Sequence, residues 1–298
     1  MLKAIFAWFG ISNNKVMAQE ILPVELDSGQ VIYRISNFQS AYVAPRSIEI
    51  YLPPDYDSVK KYRVLYLQDG QNLFDNTVAF ENYAMGLHTI LKSLEIDDII
   101  IVGIWNTTLR FREYLPSNFY VALTSNNKKF IKKEYGGSAL GSLYSQFLIQ
   151  ELIPFIENKF SIDSSRNSRG IGGISMGGLI SFYLGLTNPD LFGMVVCLST
   201  HWPLSVIKNK DSIYKDYFNF IEKNIEGLKE SKLYFDYGTE NLDSWYENPN
   251  ELLEVLLKER GMYEEDKVVI RKFSGHSHNM RDWQQRIGPA IQFVYSNK

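Results

Sequence analysis

The chain has 298 residues, 45% hydrophobic and 22% charged, proportions that let a globular protein bury a large core and that exclude a disordered or fibrous one. Its 31 Lys and Arg stand against 34 Asp and Glu, a formal charge of −3 with no basic block, so there is no electrostatic footprint for nucleic acid. The one cysteine, Cys197, excludes an internal disulfide framework and a multi-cysteine metal site.

The amino terminus, MLKAIFAWFGI, sets one Lys before a short apolar stretch, and the small residue in VMAQ fits a signal-peptidase cut that would leave Gln19 first. The polar segment Ser12–Lys15 lies between the two and argues the other way. Residues 1–18 are thus weighed as an export signal, giving a periplasmic or secreted protein, against a cytoplasmic chain that keeps them; residues 19–298 read as a single domain. No run of about eighteen apolar residues, the length that can span a bilayer, occurs in the sequence.

QVIYRIS and RSIEIYLPP alternate apolar and polar residues and predict strands between 31 and 52. YRVLYLQDG is a buried strand feeding a loop, AMGLHTILKSLEI has helical spacing, and DDIIIVGIW is a second buried strand. SQFLIQELIPFIENKF predicts an amphipathic helix with one proline, and SRGIGGISMGGLISFYLGLTNP runs from strand through tight turn into helix. FGMVVCLST and KLYFDYG are strands, with Cys197 an inert, buried residue of the first; ELLEVLLKERG is a helix closed by glycine. KVVIRKFSG ends the strands, and RIGPAIQFVYS is a last helix. Residues near 104–140 and 202–230 read as insertions over the sheet. Strands alternating with helices imply an α/β class, a mostly parallel central sheet with helices on both faces and antiparallel strands at its start.

In such sheets ligands bind outside the carboxyl ends of the strands, and the chemistry-bearing residues fall there. Gly173-Ile174-Ser175-Met176-Gly177 is a G-x-S-x-G at a predicted strand-to-helix turn, a place that lifts a serine hydroxyl to the sheet edge and points the following helix dipole at developing negative charge. A serine needs a base, which in the chain order serine, acid, histidine must come later. His88 precedes the serine and His201 precedes any suitable acid, leaving His276 and His278 in SGHSHNM. The acid falls in GTENLD, as Glu240 or Asp243. The backbone N–H groups of Met176 and of Gln71, in the loop QDGQN, are candidates for an oxyanion hole. His201 and Trp202, after a strand end, are candidates to line the substrate pocket.

VLYLQDGQNLF, FREYLPSN, FLIQELIPFIENKF, GIGGISMGGLISF, LFGMVVCLST, FDYGTENLD and GHSHNMRDW, spread from about Tyr33 to Tyr295, make the chain resemble the putative-esterase family of α/β-hydrolases, which includes enterochelin esterases, feruloyl esterases and mycolyltransferases. The resemblance implies the α/β-hydrolase fold, Ser175 as nucleophile, and His278 rather than His276 as base, because the related pattern sets a glycine, two residues, the histidine and a tryptophan five further on: Gly275, His278 and Trp283. Many relatives carry the acid three residues after the loop glycine, where this chain has Asn241, so the acid is left between Asp243, slightly preferred for its short side chain, and Glu240.

The expected function is a serine carboxylic-ester hydrolase working through an acyl-enzyme, with no metal or organic cofactor, on a small-molecule or polysaccharide-linked ester. An acyltransferase using the same site, or a catalytically silent hydrolase-fold binding protein, are the alternatives. The oligomeric state is not legible.

Overall fold

The buried strands of the interior are apolar runs that can be covered on both faces, and among the described residues nine strands join in one sheet. The structure is a computed structural model that describes residues 19–208 and 211–295, so the proposed export signal lies outside the described residues. In chain order the strands are β1 (Leu22–Glu25), β2 (Val31–Phe38), β3 (Arg46–Tyr51), β4 (Arg63–Gln68), β5 (Ile99–Ile104), β6 (Arg169–Ile174), β7 (Met194–Leu198), β8 (Lys232–Gly238) and β9 (Val268–Phe273). Their order across the sheet is β1-β2-β3-β5-β4-β6-β7-β8-β9. The first three pairings are antiparallel, and every pairing from β5–β4 to β8–β9 is parallel. This is the α/β-hydrolase architecture, a mostly parallel sheet with a packed layer on each face.

Two apolar clusters occupy those faces, one built around the Met176–Thr187 helix, the other around the Met280–Tyr295 helix. The first of these helices is apolar on all sides and buried from Met176 to Leu186, which suits its seat on β6 and β7. After β4 the chain steps out to β5 and returns to the other side of β4 as β6, so β4 is the switch point of the sheet. A crevice opens there between the carboxyl ends of β4 and β6, and that crevice carries the site.

Two elements depart from the pattern reading. The helix expected from 145 to 160 begins at Gly141 and widens into a π-helical turn over Phe147–Leu152, just before Pro154, which has no N–H to give to the preceding turn. The last helix starts at Met280, six residues earlier than its apolar spacing indicates, because Asn279 caps it: Asp282 N–H donates to Asn279 Oδ1 at 3.0 Å and Asn279 Nδ2 donates to Asp282 Oδ2 at 2.9 Å. The two insertions pack on each other, with Phe119 stacked on Tyr217 at 4.3 Å and Asn127 Nδ2 donating to Asp216 at 2.8 Å. A buried ion pair, Arg46 to Glu113 at 2.7 Å, ties the first insertion to β3.

Candidate active site

Ser175 sits between the end of β6 and the Met176–Thr187 helix with φ 59° and ψ −122°, a strained backbone that an L-residue adopts only when its surroundings enforce it. Those surroundings are tight. A Cβ on Gly173 would lie 2.6 Å from the Gly177 carbonyl carbon, and one on Gly177 would lie 2.9 Å from Gln68 Cβ, so the two glycines of the motif are required by close approach to each other and to β4. Ser175 N–H donates to the Leu198 carbonyl at 2.9 Å, anchoring the turn to β7.

From this turn a continuous hydrogen-bonded line runs to the loops after β8 and β9. Ser175 Oγ lies 3.1 Å from His278 Nε2, and His278 Nδ1 donates to Asp243 Oδ1 at 2.6 Å. Asp243 is fully buried; its other oxygen accepts from Gly238 N–H at 2.8 Å, Ser199 Oγ at 2.7 Å and Arg286 Nη2 at 3.2 Å. Burial alone would raise this carboxyl, but the bonds from His278 and Ser199 and the Arg286 charge outweigh it and hold Asp243 below the usual carboxylate range. The Trp283 ring meets the His278 ring edge-on at 4.7 Å, and its Nε1 donates to Ser199 Oγ at 3.0 Å.

Of the two acids left open by the sequence, the structure brings Asp243 to the imidazole and leaves Glu240 exposed, beside Thr239 at the rim. The reason is the short helical turn Asn241–Trp245, which folds Asp243 back under the sheet edge while Glu240 precedes it in extended conformation. His276 points away, its Nδ1 3.9 Å from Asp282, while its carbonyl accepts the N–H groups of Thr239 and Glu240 at 3.0 Å and ties the two loops together.

His201 and Trp202, expected to line the pocket, are buried beneath it instead. Trp202 packs among Phe182 and Phe235, and the His201 ring nitrogen Nδ1 lies 2.7 Å from the Tyr246 hydroxyl. Burial, with help from the neighbouring His278 and Arg110 charges, pushes His201 down to about 3, so it is a neutral packing residue. The strand end that carries them turns inward, with His201 N–H donating to the Ser175 carbonyl at 3.1 Å.

The loop after β4 brings Gln71 to the same cleft as Ser175. Its approach is set by Gly70, where a Cβ would lie 2.3 Å from the Gly103 carbonyl carbon, so the loop lies directly on β5. Asp69, at φ 58°, is pinned by Arg110 through Nε and Nη2, both at 2.7 Å, and by Asn106 Nδ2 at 2.6 Å. Met176 opens its helix, so its N–H has no carbonyl one turn back to satisfy it. The cleft, about 470 Å³, is lined by polar Gln71, Asn72, Asn106 and Arg110 and by apolar Phe80, Phe111, Leu242 and Met280.

Arg286 and Ser199 were not singled out from the sequence. The capping pattern Asn279-x-x-Asp282 was the available signal, since a helix starting there sets Trp283 and Arg286 three residues apart on one face, toward the triad of side chains. Among the described residues no group of three or more His, Cys, Asp or Glu side chains could hold a metal ion, and no helix is long and apolar enough to cross a membrane.

A family model described as "Putative esterase" matches residues 40–293. The uncharacterized protein YbbA of Bacillus subtilis (strain 168) is 24% identical over 261 residues, 84% of this chain and 92% of the relative. Among solved structures, a ferulic acid esterase has the same fold with a TM-score of 0.61 at 20% identity, covering 88% of this chain and 97% of its own. The enterobactin esterase FES from Shigella flexneri, solved in the presence of enterobactin, gives 0.60 at 15% identity over 93% of this chain and 58% of its own.

Proposed function

Because this chain belongs to the putative esterase family of α/β-hydrolases and is an esterase, we propose that it cleaves carboxylic esters by two-step acyl transfer, with Ser175 as nucleophile, His278 as general base and Asp243 as the acid that orients it. The observation that carries this reading is the unbroken line Ser175–His278–Asp243, with bonds of 3.1 and 2.6 Å, opening on a cleft.

In the first step His278 Nε2 takes the proton of Ser175 Oγ as the oxygen attacks the ester carbonyl. Asp243, fixed by three further donors, keeps the Nδ1–H tautomer of His278 and stabilises the imidazolium. The N–H groups of Met176 and Gln71 take the oxyanion; each such donor is worth about 3 kcal/mol in the transition state. The imidazolium then protonates the leaving alcohol, which departs. Water, deprotonated by the same histidine, releases the acid and frees Ser175. The polar lining suits an oxygen-rich alcohol or acyl substituent and the apolar lining a hydrocarbon or ring, which is compatible with a small-molecule or polysaccharide-linked ester.

The test is hydrolysis of a panel of p-nitrophenyl esters by wild type and Ser175→Ala. The serine variant should keep the wild-type circular dichroism spectrum and lose roughly three or more orders of magnitude in kcat. Retention of a tenth of wild-type turnover would remove Ser175 from the mechanism, and an inactive wild type would favour a binding protein.

A further inference from the structure

Behind Asp243 lies a second buried carboxylate, Asp236 of β8, and one buried guanidinium serves both. Arg286 Nη1 donates to Asp236 Oδ1 at 3.2 Å, while Nη2 donates to Asp243 Oδ2 at 3.2 Å and to Ser199 Oγ at 2.8 Å. All three charged side chains are 0% exposed. The set is not saturated: Asp236 Oδ2 and Arg286 Nε are buried without a hydrogen-bond partner among the described residues.

We propose that Arg286 and Asp236 are positioning residues that set the basicity of His278 through Asp243: Arg286 holds the acid ionised and turned to the imidazole, and Asp236 competes for the guanidinium charge. The inference rests on the Ser175–His278–Asp243 reading above. Its physical basis is that a charge shared between two carboxylates in a medium of low dielectric constant is felt by each according to the charge on the other. When Asp236 is neutral, the whole guanidinium charge faces Asp243, which then offers less negative potential to His278. When Asp236 is ionised, it offsets part of that charge, and His278 becomes the stronger base. Burial, against the opposing pull of Arg286, pushes Asp236 up to about 7, so both states exist near neutral pH.

The groups that face this cluster come from every packed element. β8 supplies Asp236 and Tyr234, whose hydroxyl bears on Asp236, and β9 supplies Arg271 opposite Asp236 in the register. The end of β7 supplies Ser199, and the last helix Arg286 and Trp283. On the imidazole side stand Asp243, His201, Tyr246 and Arg110.

Two variants should move the base in opposite directions. Asp236→Asn removes the competitor and should shift the acidic limb of the kcat/KM pH profile to lower pH; Arg286→Met removes the cation and should shift it to higher pH. The shift for Arg286→Met should be roughly half a unit or more, below the one to three units of a directly paired charge. That for Asp236→Asn should be roughly a few tenths, because with Asp236 raised to about 7 wild type already holds much of its population neutral over the limb. A purely structural role would lower kcat at all pH values and leave the limb in place. The His278 titration is also read by imidazole NMR in the Ser175→Ala background, where turnover plays no part. An Asp236→Asn limb and imidazole titration that coincide with wild type overturn the proposal, and this near-isosteric variant decides the matter should Arg286→Met fail to fold. Failure of the catalytic reading looks different: Ser175→Ala keeps its turnover while the His278 titration still shifts.

Discussion

Asp243 and Glu240 stand three positions apart on one loop, and their surroundings assign them opposite fates. Asp243 is buried with four donors around its two oxygens, whereas Glu240 is exposed beside a threonine. Asp243→Asn leaves the packing volume nearly unchanged but presents an amide where His278 needs an acceptor, so kcat should fall by about three to four orders of magnitude. Glu240→Gln and His276→Ala remove groups that do not touch Ser175 or the His278 ring, and each should stay within about threefold of wild type. The three variants assayed side by side on one p-nitrophenyl ester check this; a large loss in the glutamine variant would return Glu240 to the mechanism.

The strand-end loops depend on backbone contact as much as on side chains. Gly70 rests against Gly103 of β5 so closely that a methyl group has no room, and Gln71 is the next residue. Gly70→Ala should lift the Asp69–Asn72 turn off β5, carry the Gln71 N–H away from the cleft, and lower kcat by about 100-fold, the loss typical of one missing oxyanion donor. Overpacking of this kind also costs about 1–3 kcal/mol of stability, to be read as a lower Tm. A Tm loss with undiminished kcat would take Gln71 out of the oxyanion hole. The Asn279 cap acts on the opposite side of the site: by starting the last helix at Met280 it brings both Trp283 and Arg286 under His278 and Asp243.

Over the whole molecule, two buried carboxyls contribute stability at low pH that is lost as pH rises. Burial raises Asp236 from its ordinary 3.8 to about 7 despite Arg286, and raises Glu49 from 4.5 to about 7 despite its pairing with Arg34. Between the ordinary and the raised value each holds a proton in the folded chain that the unfolded chain has lost. Unfolding then releases protons, so their contribution is full below about pH 4 and is lost as pH rises to about 7. His201 acts the other way: pushed from 6.5 down to about 3, it favours the folded state increasingly as pH rises through that interval. Asp236→Asn and Glu49→Gln should therefore gain Tm relative to wild type as pH increases from 4 to 7, then hold a constant difference. Thermal melts at half-unit intervals check this, and a difference independent of pH would contradict it.

The amino-acid sequence by itself determined what is local or ordered along the chain. Unbroken apolar runs such as IIIVGI mark strands covered on both faces, and Gly173-x-Ser175-x-Gly177 marks a turn where Cβ atoms would collide. The order serine, acid, histidine narrows the base to two residues and the acid to two. Tertiary structure decided the rest, because the deciding contacts join residues far apart in the chain. Asp243 is separated from Glu240 by a helical turn under the sheet edge, Arg286 reaches Ser199 across 87 positions, and His201 and Trp202 turn inward although they follow a strand end as pocket residues do. Alternating patterns report which face of a strand or helix is apolar. Which buried carboxylate receives a given cation depends on three-dimensional packing and on how much water that packing removes.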